Sequence, residues 1–273
     1  MNSGQNLKMD QTRFEHLMEL DKSGRIEDAI RESQILLAET TDVNEKASLL
    51  GGMHVSYCKL GRLKEARQTL GQMKQLEVSD LGIRLNAEFC EPTLLIQEGR
   101  CEEGLSAFAA MLARYSEALR EPEHRYLYED IQCRRASTLV TLSRFKEALP
   151  ILKVALSFSF DEATNEQRVH FDLGICLEET NETEAAKQEF FRAIGFGLKN
   201  DIEERALYRL AILHFKAGAL AQAKQQLETI LRDFPGQSSA VPRKYVYEQL
   251  SHTCRHLGDK ANAELYASLA KRA

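Results

Sequence analysis

The 273-residue chain is 28% charged and 43% apolar, as expected of a folded protein rather than a disordered one. A net charge of −5 gives no basic footprint for nucleic acid, and no apolar run approaches the roughly 18 residues of a membrane span. The N-terminus lacks the apolar segment of a signal peptide, and the six cysteines are scattered as reduced thiols usually are. The sequence therefore predicts a cytoplasmic protein that binds neither nucleic acid nor membrane.

The predicted elements begin with a polar tail over residues 1–9, expected to be disordered, and continue as a helical pattern that repeats to residue 273. Each repeat has a residue suited to positive φ, followed five residues later by a small residue. Apolar residues recur at helical spacing on both sides, which predicts two amphipathic helices joined by a turn. The turn residues are Gly24, Gly61, Gly99, Ser143, Asn181, Gly218 and Gly258, and the small residues are Ala29, Ala66, Gly104, Ala148, Ala186, Ala223 and Ala263.

The turn residues lie 37 to 44 residues apart, and a repeat of this length predicts a solenoid of stacked helix pairs. No segment alternates apolar and polar residues for long enough to predict a strand. We therefore expect one all-α repeat domain over residues 10–273, with about seven antiparallel helix pairs. The predicted pairs span about residues 10–39, 45–76, 85–116, 129–158, 165–196, 202–235 and 243–273.

The third pair is irregular. Pro92 falls inside its first helix, where an interior proline costs about 3 kcal/mol relative to alanine, so we expect a kink or a break there. The longest spacing places its extra residues between about 113 and 128, where Glu121 and Pro122 are typical of a helix start. Either the preceding helix is long, or the array bends near residues 92–128.

Capping residues and a proline mark other boundaries. Asp42 with Glu45, and Asp201 with Glu204, each have the spacing of a capping box. Acidic pairs such as Glu203 and Glu204 are interpreted as solvated helix starts. Residues 235–242 form the clearest predicted loop, with Pro235 closing the sixth pair.

These residues resemble the tetratricopeptide repeat family, in which a small residue lies in the middle of each first helix. Here that position holds Ala136, Gly174, Ala211 and Ser251, and Pro235 falls at the family's closing proline. The spacing is longer than the roughly 34 residues of the common repeat, so the chain is similar to the long-repeat type of the family. The resemblance implies a right-handed superhelical solenoid that works as a non-enzymatic scaffold without a cofactor.

The sequence contains none of the motifs that mark a nucleotide-binding loop, a zinc protease, a serine hydrolase or a paired-cysteine zinc site. His252, Cys254 and His256 lie within one helical turn, which is weak support for a metal site. The alternative is a polar face on a terminal helix. We predict no catalytic and no metal-binding residues.

In the tetratricopeptide repeat family the first helices line a concave groove, and such a groove takes a peptide by its apolar side chains. The alternative is that the apolar residues pack between neighbouring first helices. The sequence lacks the lysine and asparagine clamp of chaperone-binding members, since Phe14, Met18, Gly51 and Val55 stand there. The predicted groove residues are Phe14, Met18, Phe89, Phe171, Ile175, Arg168, Arg205, Tyr208, Arg209 and Ile212.

Charge is distributed unevenly along the chain. Residues 200–273 hold 11 Lys and Arg against 8 Asp and Glu, a net charge of +3, so the first 199 residues carry −8 of the total of −5. Arg205 and Arg209 lie one helical turn apart, and together with Arg168 they favour an acidic as well as apolar partner protein or peptide. The alternative is that they form ion pairs with Glu203, Glu204 or Asp172.

The C-terminal pair offers a second kind of interaction. Its second helix carries Leu265, Tyr266 and Leu269 where the two preceding repeats carry polar residues. Because the end of a repeat array usually needs a polar cap, this predicts a docking end that forms a homodimer or holds a partner. The alternative is that these residues cover a neighbouring part of the same chain. The alternative function is accordingly that of an assembly subunit acting through end-to-end oligomerisation.

Overall fold

The computed structural model describes residues 11–160, 162–234 and 239–273. Over these ranges the chain forms α-helices and no strands, which confirms the all-α prediction. Two predicted features lie outside the described residues, namely the disordered tail and the closing Pro235. The helices are α1 (Gln11–Lys22), α2 (Ile26–Glu39), α3 (Val43–Lys59), α4 (Leu63–Met73), α5 (Leu81–Gln97), α6 (Cys101–Arg114), α7 (Arg125–Thr141), α8 (Phe145–Ala155), α9 (Ala163–Glu179), α10 (Thr183–Gly195), α11 (Asp201–Lys216), α12 (Leu220–Asp233), α13 (Arg243–His256) and α14 (Lys260–Ala270).

The helices belong to two compact units, residues 1–138 and residues 139–273, hereafter the first and second units. In the first unit α1 packs on α2, α3 on α4, and α5 on α6, while α3 also packs on α2 and α5. In the second unit α9 packs on α10, α11 on α12, and α13 on α14, and each second helix also packs on the next first helix. Both units therefore alternate first and second helices, as an α-α superhelix does.

The predicted turn residues all adopt the backbone conformation that the repeat requires. The five glycines have φ between 69° and 81°, and Ser143 and Asn181 have φ of 58° and 66°. At each of these residues the chain reverses direction, because a residue in the left-handed conformation ends the first helix and leads the chain into the second. A local backbone requirement thus explains why glycine recurs at this position.

The small residues five positions after the turns are buried. Each lies where the second helix meets its own first helix, and a larger side chain would separate the two. At Gly104 even a methyl group is too large, since a Cβ atom there would lie 2.6 Å from Cγ1 of Ile96 and 3.0 Å from the carbonyl oxygen of Pro92. The Ile96 side chain and the Pro92 carbonyl thus explain why glycine replaces alanine in the third pair.

Pro92 does not break its helix, so of the two outcomes expected from the sequence, a kink or a break, the break was wrong. Helix α5 runs from Leu81 to Gln97 with Pro92 inside it. Pro92 is buried, and its contact with α6 at Gly104 supports the helix on both sides of the missing hydrogen bond. The extra length of this repeat does not lengthen α6 either, because it forms two short 3₁₀ helices, Ala118–Arg120 and Pro122–His124.

The two predicted capping boxes have different outcomes. Asp42 caps α3, accepting a hydrogen bond from the Glu45 backbone N–H at 2.9 Å. Helix α11 is instead capped by Asn200, whose side chain accepts from the N–H groups of Ile202 and Glu203 at 3.1 Å. The prediction of Asp201 as the cap was therefore wrong by one residue. Glu203 and Glu204 are buried, so the interpretation of this pair as solvated was also wrong.

Candidate protein-binding face

The first helices of the second unit lie side by side, with α11 packed against both α9 and α13. Three interactions join α11 to α13 in order along both helices. They are the ion pair of Glu204 with Arg243, the effect of the Glu248 charge on the pKa of the Tyr208 phenol, and the edge-on ring contact of Phe215 with His256 at 5.2 Å. These partners are 39, 40 and 41 residues apart in sequence, close to the 40 residues between Gly218 and Gly258. The two helices are therefore parallel neighbours in the register of the repeat.

Because of this register, residues at equivalent repeat positions form rows across neighbouring first helices. Thirteen residues before the turn, α9 carries Arg168, α11 carries Arg205 and α13 carries Tyr245. All three side chains are exposed, and Tyr245 is 52% exposed. Neither guanidinium group makes a hydrogen bond or ion pair with another residue in the described ranges. Two cations and an aromatic ring thus line one edge of this helix layer.

Tyr208 lies next to this row, on the following turn of α11. Burial raises the pKa of its phenol, and the nearby Glu248 carboxylate and Tyr245 raise it further. Tyr208 is half-buried, as is Ile212 one turn later. We call the surface formed by Arg168, Arg205, Tyr208, Ile212 and Tyr245 the α9–α11–α13 face. It combines positive charge with half-buried apolar area.

Arg209 differs from the other two predicted arginines. Its guanidinium Nη1 lies 2.9 Å from the Glu178 carboxylate and 3.6 Å from that of Glu179, both on α9. Arg209 is therefore partly neutralised and links α11 to α9. An ion pair was one of the alternatives considered from the sequence, although the partners are not the acidic residues expected there.

Two of the predicted groove residues are buried. Phe171 lies inside the α9–α10 pair, with its ring 6.0 Å from that of Phe190, and Ile175 is buried one turn later on α9. Their burial matches the alternative that apolar first-helix residues pack between helices. We leave both out of the α9–α11–α13 face.

The predicted groove residues of the first unit lie on α1 and α5. Phe14 and Met18 are exposed, one turn apart on α1. Phe89 is half-buried, packing on Phe108 with ring centroids 5.6 Å apart and lying 5.2 Å beneath the guanidinium of Arg134. Phe14 and Met18 thus present apolar surface, whereas Phe89 lies beneath a charged side chain.

The three residues of the predicted docking end have different environments. Leu265 is 52% exposed, whereas Leu269 and Tyr266 are half-buried. The Tyr266 ring stacks on Tyr247 with centroids 6.3 Å apart, and its hydroxyl lies 3.5 Å from the Glu228 carboxylate of α12. Tyr266 therefore covers a neighbouring part of the same chain, the second of the two alternatives.

The described residues include no group of three or more His, Cys, Asp or Glu that could hold a metal ion. Cys254 is buried, and burial raises the pKa of its thiol. Burial likewise raises the pKa of Cys58 to about 11 and that of Cys90 to about 12, so these thiols stay protonated at neutral pH. No helix in the described ranges is long and apolar enough to cross a membrane.

Sequence reasoning missed Tyr245, although the signal was present. The turn residues of the fifth, sixth and seventh repeats are evident from the sequence. Counting thirteen residues back from each of these turns gives Arg168, Arg205 and Tyr245. The row becomes visible only when the register is combined with the parallel packing of the first helices.

The model of the tetratricopeptide repeat matches residues 205–236, which contain most of α11 and all of α12. No curated protein matches the chain significantly. A structure of pilF from Pseudomonas aeruginosa is 16% identical with a TM-score of 0.65, the match covering 84% of this chain and 92% of that one. A tetratricopeptide repeat protein from Parabacteroides merdae is 15% identical with a TM-score of 0.56, covering 96% and 92%.

A third similar structure is a signal transduction ATPase with numerous domains from Pyrococcus horikoshii, which carries a tetratricopeptide repeat sensor. It is 15% identical with a TM-score of 0.72, and the match covers 95% of this chain but 41% of that one. Identities this low show a common fold and nothing more. Together with the match at residues 205–236, they confirm the resemblance found in the sequence: the chain carries a tetratricopeptide repeat and has the fold of tetratricopeptide repeat proteins.

Proposed function

We propose that the protein is a non-enzymatic scaffold that binds an acidic segment of a partner protein on the α9–α11–α13 face. Tetratricopeptide repeat proteins in general bind other proteins. The observation that carries the proposal is the row of Arg168 and Arg205, two exposed arginines at equivalent positions of adjacent helices without a partner among the described residues. Arginine grips carboxylates through paired hydrogen bonds, so each can hold one acidic side chain.

The distance between neighbouring residues of the row determines how far apart the acidic residues of the partner segment must lie. Packed helices lie about 8–10 Å apart, so neighbouring members of the row have a similar separation. An extended segment in polyproline II conformation repeats every three residues and rises about 3.1 Å per residue, which returns a side chain to the same side every ~9 Å. A segment with two acidic residues three apart, and an apolar residue three further on, would contact Arg168, Arg205 and Tyr245 in turn.

The experiment uses synthetic peptides with the full-length protein. We expect a peptide with the pattern Glu-x-x-Glu-x-x-Leu to bind more tightly than one with the pattern Glu-x-Glu-x-Leu-x-x, which has the same length and composition. Isothermal titration calorimetry gives the affinities. Replacing Arg168 and Arg205 together with Ala should weaken binding and flatten its salt dependence, because screening acts on the charges that have been removed.

A matched control removes the same charge elsewhere in the second unit. Lys260 and Arg272 are exposed on or just after α14, so the double change to Ala should leave peptide binding and its salt dependence as they were. Equal affinity for the two spacings in the unaltered protein would refute the proposed register. Equal affinity of the Arg168 and Arg205 variant for the acidic peptide would refute the face itself.

The second candidate function is assembly through the C-terminal end, favoured by the exposed Leu265 on α14. Light scattering on the pure protein distinguishes it from peptide binding. A dimer that becomes a monomer on Leu265→Glu would support assembly through α14. A monomer over the accessible concentration range would leave peptide binding as the better proposal.

A further inference from the structure

A cavity of about 450 Å³ opens in the first unit between α4, α5 and α6. Its floor lies between two core clusters. Leu70 and Met73 of α4 belong to one cluster, and Met111 of α6 belongs to the other. All three side chains are buried, so the floor is apolar.

The cavity arises from helix length and side-chain size. Helix α4 ends at Met73 after 11 residues, whereas the opposing α6 has 14. Several side chains that line this space are small, namely Ala107 and Ala110 of α6 and Ala87 of α5, so they leave it unfilled. Volumes of about 300–1,000 Å³ are usual for sites that bind small molecules.

Charged side chains surround the opening, and most of them are neutralised in pairs. Lys74 lies 2.7 Å from the carboxylate of Glu91, and Arg114 lies 3.2 Å from that of Glu88. Arg84 also lines the cavity and is exposed, and its guanidinium makes no ion pair or hydrogen bond with any other described residue. The rim therefore has one uncompensated positive charge.

Pro92 leaves one backbone hydrogen-bond acceptor of α5 without its usual donor. Proline has no N–H, so the carbonyl oxygen of Glu88, four residues earlier in α5, lacks its helical donor. Both residues line the cavity. A water molecule there would donate one hydrogen bond to this carbonyl and the other to a bound carboxylate.

We propose that this cavity binds a small apolar carboxylic acid, with its carboxylate on Arg84 and its hydrocarbon part over Leu70, Met73 and Met111. The uncompensated charge favours an anion over an alcohol or an amine. The apolar floor favours a hydrocarbon body over a sugar or a nucleotide. This site is independent of the proposed peptide-binding face, since its residues belong to the first unit.

The test is a series of straight-chain acids, hexanoate, octanoate and decanoate, titrated into the full-length protein by calorimetry. Affinity should rise about fourfold with each methylene until the cavity is full, because each buried methylene contributes a constant increment. Decanol should bind at least about tenfold more weakly than decanoate, because it lacks the charge-assisted hydrogen bonds to Arg84. Absence of binding by every acid in the series would overturn the proposal.

Two substitutions locate the site. Ala110→Trp fills the cavity from α6 and should abolish decanoate binding, whereas Ala109→Trp, exposed on the same helix but outside the lining, should leave it unchanged. Arg84→Gln should remove the preference for decanoate over decanol but keep the dependence on chain length. Lys64→Gln, an exposed charge on α4 outside the cavity, is its control.

Circular dichroism and thermal melting establish that each variant is folded before the titrations. Equal binding by the Ala109 and Ala110 variants would place the acids elsewhere and overturn the proposal. An unchanged preference for decanoate over decanol in the Arg84→Gln variant would also overturn the proposal.

Discussion

The buried carboxylate of Glu204 and the mostly buried guanidinium of Arg243 form an ion pair, with 3.7 Å between Oε1 and Nη1. Glu204 is 1% exposed and also accepts hydrogen bonds from the Ala240 backbone N–H at 2.7 Å and from the Ser239 hydroxyl. One carboxylate near the start of α11 therefore holds both the segment before α13 and the first turn of α13. It couples the sixth repeat to the seventh.

We expect Glu204→Ala to destabilise the protein by about 3 kcal/mol, since it leaves the mostly buried Arg243 guanidinium without a carboxylate, and with only the Ile230 carbonyl oxygen at 3.4 Å. The free energy of unfolding in urea measures the change. Glu264→Ala removes an exposed carboxylate of α14 and should change stability by less than about 0.5 kcal/mol. Equal effects of the two substitutions would mean that the buried pair contributes nothing to the α11–α13 junction.

The same substitution should have opposite effects at two glycines of the first unit. Gly61 has φ of 69° at the turn, whereas Gly52 lies inside α3, and an added Cβ would meet no atom within 4 Å at either. Gly61→Ala should therefore destabilise by about 1–2 kcal/mol through backbone strain, and Gly52→Ala should stabilise by about 0.5–1 kcal/mol. Melting temperatures that shift in the same direction for both would contradict this account.

Gly174 is required by a side chain of the facing helix. A Cβ atom there would lie 2.7 Å and 2.8 Å from ring atoms of Phe190, which is fully buried. Gly174→Ala should cost about 1–3 kcal/mol through overpacking. Adding Phe190→Leu should recover part of this loss, so the combined effect is smaller than the sum of the single effects. Strict additivity in urea unfolding would show that the two positions are not coupled.

His54 makes stability depend on pH. It is 1% exposed, with Nδ1 2.9 Å from the Ala66 carbonyl oxygen, and burial lowers its pKa from the ordinary value of 6.5. Hydrogen bonds to the carbonyls of Ala66 and Cys90 partly offset this shift, and the Arg67 charge adds to it. The unfolded chain therefore binds a proton at a higher pH than the folded protein does.

Stability due to His54 is consequently complete above the unfolded pKa and is lost as pH falls below about 6.5, by at most about 1.4 kcal/mol per pH unit. His54→Asn keeps a donor for the Ala66 carbonyl and should flatten the profile between about pH 7 and pH 5. The matched control is the same replacement at His252, an exposed histidine that forms no ion pair within the described ranges. A profile unaltered by His54→Asn would assign the pH dependence to other groups.

Residues 85–128 should exchange their amide hydrogens before the flanking helices do. Pro92 removes one hydrogen bond from α5, Gly104 replaces the packing alanine, and the cavity beside them reduces packing. Hydrogen exchange followed by mass spectrometry measures the order of opening. Uniform protection throughout the first unit would be inconsistent with a weak third repeat.

The turns and the buried small residues could be predicted because each requirement is local. A residue that tolerates the left-handed conformation is needed where one helix ends and the chain turns back. A small residue is needed where two helices touch, so the residue types in the sequence indicate both positions. The role of Glu204 could not be predicted in this way. Its partners lie 35 to 39 residues further along the chain, and only the parallel packing of α11 and α13 brings them together.

Pro92 shows a second limit of the sequence. Its intrinsic cost predicts an interrupted helix, but contacts between α5 and α6 keep the helix continuous. For the candidate site, Arg168 and Arg205 could be identified from helical spacing. The neutralisation of Arg209 could not, because Glu178 belongs to the preceding first helix.

The segment between α6 and α7 suggests where this chain tolerates added length. An inserted residue inside a helix would rotate every later side chain by about 100° and displace the rows on the first helices. Residues 115–124 already accommodate the extra length of the third repeat, and between the buried Leu119 and His124 the chain is exposed. Lengthening an exposed connection has a small entropic cost. A fluorescent protein or an affinity tag placed after Glu121 would therefore report on this protein without altering the register of its helices.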